Sequence, residues 1–307
     1  MSSFSATLNQ MLILFAFICA GFLLVRWRVL PEGCATVISK LEFNLFLPAL
    51  TLSNCLQNCD PAVMGEKWTL ILWGAGFVAV LMVLGWLLTK LFRGEAQLKR
   101  IIQYSLTISN YGYMGNAVVL GIFGSQILFD YMIFLLPLSV VTNSWGVMML
   151  VPKAEGHGGF FRRVCTPPII AVVMGVVLGV TRAPIPAFCT KVLEQAGQCM
   201  APLAMILTGV TLGQYSLKKI LSIPQVYGVT ALRLVGIPLL IGFVARLCGL
   251  DDDLVRLMMC AVAMPLGLNT VVFPAAHGQD TTVGASMALI SNVLALVTIP
   301  LILSIFI

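Results

Sequence analysis

Two apolar stretches that cannot stay helical from end to end constrain this chain more than anything else in it. The first, RIIQYSLTISNYGYMGNAVVLGIFGSQ at 100–126, has the length and apolarity to cross a bilayer, yet its middle holds Ser109, Asn110, Gly112, Gly115 and Asn116. Each glycine weakens a helix by roughly 1 kcal/mol relative to alanine, and asparagines placed in lipid need hydrogen-bond partners. A helix that merely anchors has no use for such a centre. A helix that opens at mid-membrane and frees backbone groups for a solute requires one. The second stretch, RLMMCAVAMPLGLNTVVFPAAHGQ at 256–279, repeats the design about 155 positions later, with Pro265, Gly267, Asn269 and Thr270 at its centre.

The rest of the chain is of the same character. It is 59% hydrophobic and 10% charged, whereas soluble domains carry about 25% charged residues. Ten apolar stretches can be marked, near 9–26, 41–56, 68–89, 101–124, 127–151, 165–181, 196–215, 225–248, 254–276 and 281–307. These continuous runs predict an all-α membrane bundle of ten transmembrane helices and exclude a barrel, which needs short alternating strands. The net charge of +6 does not point to nucleic acid, because Lys and Arg accumulate in cytoplasmic loops. With the N-terminus outside, the inner loops hold eleven Lys and Arg and the outer loops five. Both termini are therefore expected outside. The first apolar run lacks a basic leader and reads as a retained helix, not a signal. Nine scattered cysteines show no zinc spacing, and no catalytic triad, phosphate loop or protease metal motif is present. No enzyme activity and no cofactor is expected.

The chain reads as two halves, 1–151 and 165–307, joined by a short basic linker at 152–164 taken as cytoplasmic. Landmarks recur at near-constant offset: Pro48 and Pro202 are 154 positions apart, Arg100 and Arg256 are 156 apart. Such recurrence indicates an internal duplication. Five spans per half force the second half to insert upside down, and inverted five-helix repeats with broken, crossing helices 4 and 9 are a plan of secondary transporters. Where the breaks meet, two half-helix N-termini would aim unpaired N–H groups at one small volume, an arrangement that suits a carboxylate. The candidate substrate-binding residues are Asn110, Gly112, Gly115, Asn116, Pro265, Gly267, Asn269 and Thr270. Pro48 and Pro202 are expected to open spans 2 and 7 beside the crossing, with Asn44, Ser53, Thr208 and Thr211 near. The plain alternative is a pair of glycine-kinked helices whose asparagines only hold the bundle together. Charged residues inside spans are functional suspects. Arg233 is expected to snorkel to the surface, with an ion pair or anion attraction as its other roles. Glu42 and Glu194 are expected to be solvated, Asp130 begins span 5, and His277 reads as an interfacial cap. Thr142, Asn143 and Ser144 read as helix–helix hydrogen-bonding groups.

Three stretches resemble the auxin efflux carrier family in its bacterial branch: NLFLPALTL at 44–52, NYGYMGNAVVLGIFG at 110–124, and AMPLGLNTVVFPAAHGQDTTVGASMALISNVLALVTIPL at 263–301. The resemblance implies ten helices in two inverted repeats, organic-anion substrates, and carboxylate binding at positions that map here to Asn110, Asn116, Pro265 and Asn269. It departs at the helix 4 break, where family members often have proline and this chain has only glycines. The expected protein is a carrier of mono- or dicarboxylates in a bacterial inner membrane, working by alternating access. Coupling to a proton or to sodium stays open, and a homodimer is compatible with the resemblance. The rivals are a sodium-coupled symporter of the bile-acid type, with Asn143 and Asn292 as candidate ligands, and a signalling or scaffold protein on the same fold.

Overall fold

The computed structural model describes residues 3–31, 33–59, 61–151, 165–275 and 280–307. The expected linker 152–164 and His277 lie outside the described residues. Among the described residues twelve helices follow one another: α1 (Ser3–Arg26), α2 (Cys34–Asn58), α3 (Pro61–Thr89), α4 (Ala96–Thr107), α5 (Tyr111–Phe134), α6 (Leu136–Leu150), α7 (Pro167–Val180), α8 (Ala187–Gly213), α9 (Pro224–Leu247), α10 (Asp252–Val262), α11 (Asn269–Ala275) and α12 (Thr282–Phe306), with one further short turn at Leu217–Leu221. Among the described residues there is no β-strand, and the all-helical class expected from the apolar runs holds. Seven helices (α1, α2, α3, α5, α8, α9 and α12) have the length and apolarity to cross a membrane, and α6 and α7 are shorter apolar helices.

Helix α5 is not one straight rod. Gly124 has φ 82° and ψ −176°, a conformation open to glycine and strained for other residues. Twenty residues of straight helix span about 30 Å, yet the Tyr131 hydroxyl donates to the Tyr111 carbonyl at 3.3 Å. The chain therefore doubles back at Gly124, and the two arms of α5 lie side by side.

Proline shapes two other helices in a way the sequence did not announce. In α2 a π-helical turn, Glu42–Phe46, precedes Pro48; in α9 another, Leu232–Gly236, precedes Pro238. Proline lacks an N–H and clashes with the carbonyl four residues back. One extra residue in the preceding turn relieves that clash without breaking the helix. Pro48 thus bends the register of α2 and does not open it. Pro202 lies inside α8, which continues through it to Gly213. Neither proline produces the expected helix opening.

The helices can be described in two groups, which also touch each other where α1 packs on α12 and α2 on α5. Helix α1 runs along α8, and α7 runs along α2, which also touches α8. Glycines set these distances: a Cβ on Gly209 would strike the Ile18 carbonyl, one on Gly21 the Ile206 carbonyl, and one on Gly179 would stand 2.7 Å from Cys59 Cβ. Such close approach suits membranes, where helices associate by contact and not by expulsion of water. In the other group α3 packs on α4, α5 and α6, and α9 packs on α10 and α12. Buried Phe77, Leu81, Tyr104, Ile108, Met259 and Met287 belong to the core. The outward faces are as apolar as the inner ones: Leu72, Trp73, Val83, Val173, Val177, Phe243 and Val297 are all exposed. An apolar surface of this extent needs lipid around it.

Candidate functional site

The two glycine- and asparagine-rich stretches meet. Helix α4 ends at Thr107; Ile108 is extended (φ −112°, ψ 122°), and Asn110 (φ −79°, ψ 48°) leads into α5. Helix α10 ends at Val262, and helix resumes at Asn269. Between them Ser109 pairs antiparallel with Leu266. The Asn110 N–H donates to the Pro265 carbonyl at 2.8 Å, and Ser109 Oγ donates to the Ala261 carbonyl at 2.8 Å. The Leu266 N–H donates to Ser291 Oγ at 3.1 Å. Non-helical backbone deep in an apolar bundle must find partners for its polar groups, and here each break supplies them to the other. Pro265 cannot donate, so it fits a position where only its carbonyl is used.

Among the described residues three side-chain donors of the surrounding residues are left over: Asn110 Nδ2, Thr166 Oγ1 and Thr211 Oγ1. Asn110 is 3% exposed and its Nδ2 has no hydrogen-bond partner. A buried amide group without a partner costs about 1–3 kcal/mol; Asn110 is one of the residues around a cavity of about 400 Å³, with its Nδ2 covered within the wall. Ser109, Tyr111, Gly112, Tyr113 and Asn116 line the cavity from the first break, Gly267 and Asn269 from the second. Ser139, Thr142 and Asn143 face it from α6, Lys40 and Asn44 from α2, and Gln214 and Tyr215 from the end of α8. Phe43, Ile169, Val172 and Phe273 supply apolar wall.

The polar lining is held in place by bonds within the bundle. Asn269 Nδ2 donates to Tyr104 Oη at 3.1 Å, and the Tyr104 ring stacks on Trp145 at 6.5 Å. The Tyr111 hydroxyl lies 3.2 Å from Thr142 Oγ1 and 3.3 Å from Ser139 Oγ. Thr142, Asn143 and Ser144 each bond back to the carbonyl four residues earlier. The first turn of α5 begins at the cavity wall, and the N–H groups of such a turn have no helical partner.

The sequence candidates thus divide. Asn110, Gly112, Asn116, Gly267 and Asn269 line the cavity, as do Asn44 and Thr211. Gly115, Pro265 and Thr270 stand behind it. Gly115 gives room to the Tyr131 hydroxyl, the Pro265 carbonyl receives Asn110, and Thr270 Oγ1 bonds the Gly267 carbonyl at 2.9 Å. Pro48, Pro202, Ser53 and Thr208 are not among the lining residues.

The family-model comparison matches the "Membrane transport protein" model over residues 6–157 and 160–303, nearly the whole chain. The chain belongs to the membrane transport protein family. Among curated relatives, this family member is 25% identical over 309 residues to an uncharacterized transporter of Methanothermobacter thermautotrophicus, covering 97% of this chain and 98% of the relative. It is 23% identical over 300 residues to the uncharacterized transporter YfdV of Escherichia coli K12, covering 92% and 91%. The auxin-carrier resemblance read in the sequence is borne out at the level of family, and transporter is the activity class that the relatives' names carry.

Three features of this transport protein escaped the sequence reading. Lys40 is the charged side chain among the lining residues; its place four positions before Asn44, one helical turn, was the available signal. Glu42 is not solvated: it is 0% exposed, and neither carboxylate oxygen has a hydrogen-bond partner among the described residues. Arg233 does not snorkel. It is 0% exposed, with Nη1 3.1 Å from the Leu106 carbonyl and Nη2 3.5 Å from the Ala261 carbonyl. Of the other charged suspects, Asp130 forms an ion pair with Lys67, and Glu194 is exposed as expected.

Proposed function

We propose that this protein is a secondary carrier of small organic anions, mono- or dicarboxylates, in a bacterial inner membrane, and that it holds substrate where the two broken segments meet. The observation that carries the reading is the cavity itself. It lies between the two packing groups, is bordered by both breaks, and has in its wall Asn110, whose amide donor is unpartnered among the described residues. Carboxylate oxygens take hydrogen bonds from the Asn110 and Asn116 amides and from the free N–H groups of the first turn of α5. Lys40 at the rim draws anions in.

On this reading there are ten crossings. Helix α4 and 111–123 make one, 125–134 and α6 the next, and α10 with α11 make another; α1, α2, α3, α7, α8, α9 and α12 each make one. The halves form inverted repeats, which the close contacts support. Gly21 of α1 meets Ile206 of α8 and Val25 meets Gly213; Gly175 of α7 meets Leu52 of α2 and Gly179 meets Cys59. Every member of the second set of partners is offset by 154 positions from its counterpart in the first. Thr36, Lys40, Thr166 and Gln214, chain positions near the basic loops, are among the lining residues; on the positive-inside rule that end of the cavity is the cytoplasmic one, with both termini outside. Alternating access then moves α1, α2, α7 and α8 against the remaining helices.

The test is uptake of carboxylates into vesicles containing purified protein, driven in turn by a proton and by a sodium gradient. Asn116→Ala and Asn269→Ala are expected to lower uptake at least tenfold while the protein still inserts. Normal uptake in both variants would sink the site, and the gradient that drives uptake identifies the coupling ion.

A further inference from the structure

The crossing holds helix ends of both signs. A helix terminus behaves as roughly half an elementary charge, positive at the N-terminus and negative at the C-terminus. Helices α4 and α10 both point their C-termini at the crossing, and Leu106 and Ala261 in their last turns are buried. Two such ends amount to about one negative charge, next to the place where an anion is meant to sit. Uncompensated, they would cancel the donors of the lining and favour a cation.

Arg233 answers that charge. It projects from the π-helical turn Leu232–Gly236 of α9, fully buried, and its guanidinium reaches both C-terminal turns at once, Nη1 to Leu106 and Nη2 to Ala261. The two carbonyls are 155 positions apart, the same offset that separates Asn110 from Pro265 and Gly112 from Gly267. One side chain therefore grips equivalent points of both broken segments. The position 155 residues before Arg233 is Val78, buried and apolar, so the device is single where its targets are paired. No salt bridge involving Arg233 occurs among the described residues. Arginine stays charged and forks two donors from one plane, which a lysine cannot do. The Ala261 carbonyl also accepts from Ser109 Oγ, and Ser109 lines the cavity, so the guanidinium stands just behind the wall.

We propose that Arg233 is a positioning residue that sets the sign of the potential at the crossing: by neutralising both half-helix C-termini it makes the site select anions, without touching substrate. The inference rests on the anion-carrier reading above and adds the residue that enforces it.

The experiment uses full-length protein in lipid nanodiscs and three probes of one shape: benzoate, benzamide and benzylammonium. Binding is measured by calorimetry for unmodified protein, Arg233→Gln and Arg233→Lys. Unmodified protein is expected to prefer benzoate over benzamide at least tenfold and to exclude benzylammonium. Arg233→Gln is expected to lose the benzoate preference while benzamide binding changes less than threefold; Arg233→Lys is expected to keep most of the preference at a lower melting temperature. A merely structural arginine would weaken both probes together. Benzoate preference that survives in folded Arg233→Gln overturns the proposal and leaves the carrier reading standing. If no charge-removing variant folds, unmodified protein still decides: benzylammonium bound as tightly as benzoate overturns the proposal, and its exclusion alongside a benzoate preference supports it. Absence of any carboxylate preference in unmodified protein removes both readings.

Discussion

Gly175→Ala tests whether the α7–α2 contact is as tight as the backbone makes it. A Cβ on Gly175 would stand 2.5 Å from Cys55 Cβ and 3.2 Å from both Cys55 Sγ and Leu52 Cδ1. Carbon atoms settle about 3.5–4.0 Å apart, so the helices must part by about 1 Å to admit the methyl group. Overpacking of this kind costs about 1–3 kcal/mol. Cys55→Gly removes the obstructing carbon and costs about 1 kcal/mol in lost burial and helix propensity together. Acting independently, the two changes would cost about 2–4 kcal/mol together. In the double variant the new methyl group occupies the vacated space, so a cost of only about 1 kcal/mol is expected. Melting temperatures of the four proteins in detergent read the cycle, at roughly 2–4 °C per kcal/mol. Additive losses, or a Gly175→Ala protein that melts like the parent, would refute the reasoning. Gly209 supplies the contrast: its Cβ would meet the backbone carbonyl of Ile18, and no side-chain change at Ile18 is expected to rescue Gly209→Ala.

Three further outcomes are expected. Gly115→Ala should destabilise and be partly rescued by Tyr131→Phe, whereas Gly112, with nothing within 4 Å of its Cβ position, should accept alanine and gain about 0.4–1 kcal/mol; equal melting losses for both would count against the geometry. A double-mutant cycle between Tyr104→Phe and Asn269→Ala should show a coupling of about 0.5–1.5 kcal/mol for their 3.1 Å hydrogen bond; zero coupling in thermal denaturation would deny that bond. Lys40→Ala should raise KM for an anionic probe severalfold at low salt with little change in maximal rate, and the difference should shrink at high ionic strength; a loss confined to the maximal rate would give Lys40 another role.

The breaks were legible because they conflict with their surroundings. Gly112, Asn116, Pro265 and Asn269 are poor choices in an apolar helix, and the conflict itself marked where helix stops. The 155-position recurrence then paired the two stretches before any contact was known. What stayed hidden is burial set by neighbouring helices. Glu42 and Arg233 lie near the ends of apolar spans and so read as surface groups, yet both are 0% exposed. Arg233 is held inside by the Leu106 and Ala261 carbonyls, partners that no pattern along its own helix announces. Pro202 failed for a related reason: a proline permits an opening without compelling one, and close packing of α8 against α1 and α2 keeps the helix continuous.

By itself the sequence determined that this chain is an all-helical membrane protein interrupted twice at equivalent places, because apolar length and helix-breaking residues are local quantities. Only the tertiary structure decided that the interruptions face each other across an antiparallel pair, that Gly124 turns one apolar run back on itself, and that one arginine reaches both helix ends. Those are relations between residues 20 to 157 positions apart. They are fixed by which carbonyl or glycine face a neighbouring helix presents, and no local pattern carries that information.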